Sequence, residues 1–164
     1  MNDFVTDLQY SFEESDNEIF DNFYKRIFPS ITQIEVCTDL NIQKTGIDKI
    51  IHFASGNTFT IDEKKRRKDY NDIAIELWSD YDKQKRGWLY YSRCDYIVYA
   101  IMPTMKIYLL PTILLKRVWY INNSEWLNKY PLIFAQNDTY RTQNICIPSD
   151  VLVNSIRDEM KQKL

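Results

Sequence analysis

Glycine is scarce in this chain, three residues in 164, and histidine scarcer still with one. Three scattered glycines cannot build a phosphate-cradling Gly-rich loop, and His52 alone leaves little material for a Ser-His-Asp triad or a multi-histidine metal site. The cysteines Cys37, Cys94 and Cys146 are odd in number, widely spaced and without a C-x-x-C pair. That pattern argues against a zinc site or a disulfide framework and for a reducing compartment. Long apolar runs are missing too, since those near 96–102 and 108–115 are cut by Pro103, Lys106 and Pro111, short of a membrane-spanning helix. The N-terminal MNDFVTDLQYSFEES is acidic and has no apolar h-region, so the expectation is a cytoplasmic protein with no membrane partner.

An excess of either charge sign is the next absence. Twenty-one Lys and Arg against 23 Asp and Glu leave a net charge of -2, so any polyanion must be held by a local patch. What is present is apolar: 45% hydrophobic residues, 15% of the chain aromatic, and only five prolines. This excludes disorder and fits one domain over residues 1–164 with a sizeable core.

The stretch Gly46–Arg67 organises the rest. Ile47, Ile51 and Phe53 alternate with Asp48, Ile50 and His52; Ser55-Gly56-Asn57 supplies a turn; Phe59 and Ile61 then alternate with Thr58, Thr60, Asp62 and Lys64. Side chains two apart on a strand share a face, so Asp62 and Lys64 project together, and Asp48 reaches them if the two strands pair. A basic run, Lys64-Lys65-Arg66-Arg67-Lys68, follows where phosphate contacts would be wanted, although most such runs are solvated strand ends.

Upstream, Ser11–Glu14 matches a capping box, and Ile19, Phe20, Phe23, Tyr24, Ile27 and Phe28 form a helical stripe ended by Pro29. Glu18 flanks that stripe, where it is either solvated or able to reach the sheet. Residues 34–37 read as a short strand, and Gly46 as a backbone position that needs freedom from a Cβ. Downstream, 72–78 is a strand whose Glu76 is a cross-strand partner for a lysine or an extra site carboxylate. Residues 79–86 read as a loop, 95–102 and 105–110 as buried strands, and Pro111 as the first turn of a helix to about residue 119. Residues 124–130 read as a second short helix, 140–147 as a late edge strand, and Ser149 as the cap of a final helix carrying Leu152, Ile156, Met160 and Leu164. The fold class expected is α/β (α+β), a mixed central sheet flanked by helices.

An acidic-x-basic tripeptide occurs by chance roughly three times at this composition. Glu159-Met160-Lys161 is one, on a helix where it means nothing. Asp62-Glu63-Lys64 differs by its context, a strand preceded by Asp48 after a glycine and by a helix with Glu18. Hard divalent cations take carboxylate and carbonyl oxygens, and a cation so held activates water and neutralises charge on a phosphate. Lys64 would orient or deprotonate that water or stabilise the developing charge.

Glu18, Gln43-Lys44-Thr45-Gly46-Ile47-Asp48 and Ile61-Asp62-Glu63-Lys64 together resemble the PD-(D/E)XK restriction-endonuclease-like nuclease superfamily, over about residues 11–115. The resemblance implies a core of a helix, a three-stranded meander, a helix and a strand. It implies metal-binding carboxylates at Asp48 and Asp62, with the Glu63 carbonyl helping, a catalytic Lys64, an accessory ligand at Glu18, and Gln43 beside the site. With it come Mg²⁺ or Mn²⁺ as cofactor, DNA or RNA as partner through Gln43, Lys65, Arg66, Arg67 and Lys68, and a homodimer where both strands are cut. A rival register puts Glu63 and Lys65 to work on the face of Phe59 and Ile61; the first register is preferred because it keeps those two side chains in the core. A nuclease-like fold without turnover, serving as a DNA-binding or protein-interaction module, is the alternative.

Overall fold

The computed structural model describes residues 14–161, so Ser11, on which the capping box rests, and Leu164 lie outside the described residues. Helix α1 (Glu14–Ile27) leads into strand β1 (Ile31–Val36), the one-turn helix α2 (Leu40–Gln43), and the hairpin of β2 (Lys49–Phe53) and β3 (Thr58–Arg66). The hairpin closes where the sequence places it: Gly56 takes φ +84, and the Phe53 amide donates to the Asn57 carbonyl at 3.0 Å. Then follow β4 (Asp72–Asp80), the two-residue β5 (Lys85–Arg86), the one-turn α3 (Trp88–Tyr91), β6 (Tyr96–Ile101) and β7 (Lys106–Pro111). The chain ends with α4 (Thr112–Lys129), β8 (Leu132–Gln136), β9 (Arg141–Pro148) and α5 (Ser149–Met160).

Two sheets result, and the fold is α+β. The first is mixed, in the order β1-β2-β3-β6-β7, with β3 parallel to β6 and every other pair antiparallel. The second, β5-β4-β9-β8, is antiparallel throughout. The apolar stripe of α1 (Phe20, Phe23, Tyr24) covers one face of the first sheet, against Ile51, Ile61, Val98 and Ala100. The opposite face, carrying Ile97, Tyr99 and Ile101, shares a second core with Ile73, Ile75 and Leu77 of β4, Ile145 and Ile147 of β9, and the inner sides of α4 and α5. Each large apolar side chain sealed in these cores contributes about 1.5–3 kcal/mol. Among the described residues no helix is long and apolar enough to cross a membrane.

Several elements depart from the sequence reading. The strand at 72–78 lies in the second sheet, and β3 pairs with β6 instead. Between β3 and β6 the described helix is a single turn, α3, where the resemblance implies a full one. The 79–86 segment is not a plain loop, because β4 runs on to Asp80 and β5 pairs back onto it. The two helices expected at 111–119 and 124–130 are one, α4, since Leu115, Val118, Trp119 and Trp126 stay in phase on its buried side. The late strand is interior, and its edge neighbour β8 escaped sequence reading because all five of its residues are exposed and show no alternation.

Candidate functional site

Strand β3 splits its charges between its two faces. Asp62 and Lys64 point to the side of Ile97 and Tyr99, their register partners on β6 being Ile97 and Tyr99 themselves. Glu63 and Lys65 point to the side of α1, where Glu63 meets Tyr24 and the Lys65 ammonium stands 5.6 Å over the Phe20 ring. Period-two alternation puts Asp62 and Lys64 on one side with no further help.

Asp62 is 1% exposed, and both its oxygens are satisfied. The Lys64 ammonium donates to Oδ1 at 2.5 Å, and the Ser92 hydroxyl donates to Oδ2 at 2.7 Å. Gly46 makes this closure possible. It takes φ +73, and a Cβ on it would lie 2.4 Å from Ser92 Oγ and 2.9 Å from Asp62 Oδ2. The Arg93 amide, donating to the Thr45 carbonyl at 2.9 Å, fastens the two loops together. Asp48 stands just before β2. Its amide donates to the Ile61 carbonyl at 2.7 Å, and its Oδ2 accepts the Glu63 amide at 2.8 Å. The structure therefore gathers Asp48, Asp62 and Lys64 at one point of β3, behind a seal made by Gly46 and Ser92. Ser92 lies thirty residues from Asp62 and left no local signal in the sequence.

Burial pushes the Asp62 carboxyl above its ordinary range, and the Lys64 ammonium works against that shift. Burial also disfavours the Lys64 ammonium, but the Asp62 carboxylate outweighs it, so the lysine pKa stands above its ordinary value. Lys64 is held as a cation. Glu76, on β4, is raised by burial as well; its Oε1 accepts the Trp88 amide at 3.2 Å, and its carboxylate feels both Lys64 and Asp62.

The α1 side of β3 holds a second cluster that sequence reading missed. The Tyr24 hydroxyl donates to Glu63 Oε1 at 2.7 Å, and Lys49 bridges Glu63 at 3.0 Å and Asp21 at 2.9 Å. Lys49 also lies 5.9 Å from the Phe20 ring centre and 5.7 Å from that of Tyr24. The available signal was phase: Lys49 falls in step with Ile51 and Phe53, so it had to be buried and paired. Two placements are thereby corrected. Glu63, whose position near the strand end would let its side chain reach solvent, is instead buried, its side chain being 9% exposed. Glu18 is exposed on α1, which packs on the face opposite Asp62, so the structure does not bring it to Asp48 and Asp62.

The basic run is divided too. Lys64 through Lys68 line a cleft of about 610 Å³ whose other sides come from Ala74, Glu76, Trp88 and Tyr99 and from Ile133, Ala135, Asn137, Thr142 and Asn144 of the second sheet. Arg66 is only 13% exposed; it pairs with Asp72 and stands 5.1 Å over the Tyr70 ring, which ties it to the protein first. Lys68 is exposed at the rim. Gln43 is turned away to its own loop, its Nε2 donating to the Cys37 carbonyl at 2.6 Å. Lys64 alone of the three gathered residues lines the cleft, with Asp62 behind it.

Among the described residues no three Asp, Glu, His or Cys side chains come close enough to cage a metal ion. A hydrated Mg²⁺ keeps several waters and needs only one or two carboxylates, but both oxygens of Asp62 are already taken, Oδ2 by the Ser92 hydroxyl. The Lys64 ammonium now occupies Asp62 Oδ1 and would have to yield that oxygen. No protein-family model matches this chain, and no curated protein or solved structure is significantly similar to it.

Proposed function

We propose that this protein is a metal-dependent phosphodiesterase acting on nucleic acid, with a restriction-endonuclease-like core formed by α1, β1, β2, β3 and β6. One observation carries the reading: Asp62 and Lys64 stand side by side at 2.5 Å on one face of β3, Asp48 is tethered to the amide between them, and Lys64 opens onto a cleft walled by five consecutive basic residues. Asp48 and Asp62 would hold a Mg²⁺ or Mn²⁺ ion. Such an ion lowers the pKa of bound water and offsets charge on the phosphate.

The residues have separate tasks. Asp62 holds the Lys64 ammonium at the back of the cleft, while the Glu63 amide orients Asp48. Lys64, its ammonium paired with Asp62 and its side chain lining the cleft, would present positive charge toward the phosphate. The rest of the basic run draws the polyanion in despite the net charge of -2. Buried, unpaired Cys37, Cys94 and Cys146 accord with a cytoplasmic setting.

A second reading has its own observation. Asp62 is sealed, with both oxygens satisfied inside the protein, as expected of a structural ion pair in a nucleic-acid-binding module without turnover. Plasmid and single-stranded DNA incubated with Mg²⁺ or Mn²⁺ separate the two. Cleavage by the native protein that disappears in folded Asp62→Ala and Lys64→Ala supports the enzyme. Binding that these substitutions leave unchanged, with no cleavage by the native protein, supports the module.

A further inference from the structure

The cleft in front of Lys64 is asymmetric in a way that bears on what enters it. One wall is lined by residues 64–68, of which Lys65 turns its ammonium to the α1 side and Arg66 pairs with Asp72, with Tyr70 beside them. The facing wall contains no cation: Ile133, Ala135, Asn137, Thr142 and Asn144 contribute apolar surface, amides and a hydroxyl. Glu76 is the one carboxylate among the described residues that line the cleft, and a negative charge there would disfavour phosphate beside it.

A duplex offers a phosphate backbone on each side of its grooves and hides its bases in the stack. A cleft built to hold one would meet phosphate on both walls. A single strand has one backbone and free base faces and edges. Base faces stack on aromatic and apolar side chains, and base edges are read by groups that both donate and accept. The facing wall supplies these. Tyr70, 59% exposed, and Ile133, 40% exposed, both line the cleft, and Asn137 and Asn144 each carry a donor and an acceptor. The volume agrees, since about 610 Å³ falls in the range of roughly 300–1,000 Å³ that encloses small ligands, enough for a nucleotide or two.

We propose that this cleft takes a single-stranded polynucleotide, its backbone along residues 64–68 and its bases against Tyr70, Ile133 and the two asparagines. The proposal rests on the nucleic-acid reading above and specifies the form of the substrate. Tyr70 is the specificity-determining residue, and sequence reading did not single it out. The Arg66 guanidinium stands 5.1 Å from its ring and steadies it beside the cleft.

Fluorescence anisotropy tests this with a labelled single-stranded DNA, its duplex, and an RNA of the same sequence, in EDTA so that cleavage does not interfere. A parallel arm measures cleavage of all three with Mg²⁺. The single strand is expected to bind roughly tenfold tighter than the duplex, Tyr70→Ala to lose about that factor, and Tyr70→Phe to retain it. The ratio of DNA to RNA affinity tells which polynucleotide is the source. Duplex bound as tightly as single strand, or Tyr70→Ala binding like the native protein, overturns the inference; metal-dependent cleavage in the parallel arm would still leave the nuclease reading standing. No binding and no cleavage of any of the three overturns both.

Discussion

Two acid–lysine pairs sit back to back across β3, one within the strand and one reaching to Lys49 of β2, and they are not equivalent. On the α1 side, Glu63 and Lys49 are 9% and 4% exposed in their side chains and closed in by Tyr24 and Asp21. On the other side, Asp62 is equally buried, but Lys64 is 25% exposed and lines a cleft. The chemistry of the two pairs is the same; access differs. The comparison teaches that a carboxylate beside a lysine earns a functional reading from the route to solvent on one partner, and that without the route it is a rivet between a helix and a sheet.

The strongest way to break this contrast is to remove one partner of the sealed pair. Glu63→Ala leaves Lys49 buried with Asp21 as its remaining carboxylate, and should cost about 3–5 kcal/mol in urea unfolding. The double variant Lys49→Met with Glu63→Gln should recover most of that loss, since no buried charge is then left over. If Glu63→Ala unfolds like the native protein, the α1 cluster is not the rivet described.

On the open side the loss should appear in activity. Lys64→Ala should lower metal-dependent cleavage by about 10²–10³-fold, as expected for removing one preorganised charge stabiliser. Its unfolding midpoint should fall as well, because Asp62 is left buried with Ser92 as its remaining partner, so cleavage is compared on folded protein. Equal effects of the two variants on cleavage would erase the distinction between the faces.

Gly46 and Gly56 sharpen the comparison by a smaller step. Both have positive φ, at +73 and +84, but a Cβ at Gly46 would run into Ser92 and Asp62, whereas nothing lies within 4 Å of one at Gly56. Gly56→Ala should cost about 1–2 kcal/mol of backbone strain alone. Gly46→Ala should exceed it and also reduce cleavage, measured by thermal unfolding alongside the nuclease assay.

The smallest effect belongs to a surface carboxylate outside both pairs. Hydrogen bonds from Lys106, the Asn71 amide and Thr104 hold the Asp69 carboxyl at about 2, below its ordinary value of 3.8. A depressed carboxyl stabilises the fold once pH exceeds its unfolded value, and that contribution is lost as pH falls through the folded one. Unfolding free energies of native protein and Asp69→Asn should therefore differ above about pH 3.8 and converge toward pH 2. The buried carboxyls of Asp62 and Glu63 run the other way: burial raises them, so whatever they contribute through protonation fades as pH climbs past the ordinary carboxylate range.

Much of the hairpin was legible because its information is local. Alternation over 47–53 and 58–64, a turn at Ser55-Gly56-Asn57 and a special glycine at position 46 are written in neighbouring residues, and the structure uses each of them. The failures have a common origin. Lys49 is marked for the core only by its phase, and the burial of Glu63 has no local signal because its partners, Lys49 and Tyr24, lie fourteen and thirty-nine residues away. Ser92, Tyr70 and the wall formed by β8 and β9 have no pattern of their own that points at Asp62 or at the cleft.

The sequence by itself determined that Asp62 and Lys64 share a face, because the side-chain period of a strand leaves no alternative, and that a basic run follows them. Only the tertiary structure decided which of the two faces is sealed and which has a cleft. That choice depends on where α1 docks and where the second sheet comes to rest, and contacts between residues far apart in the chain leave no periodic trace for a reader to follow.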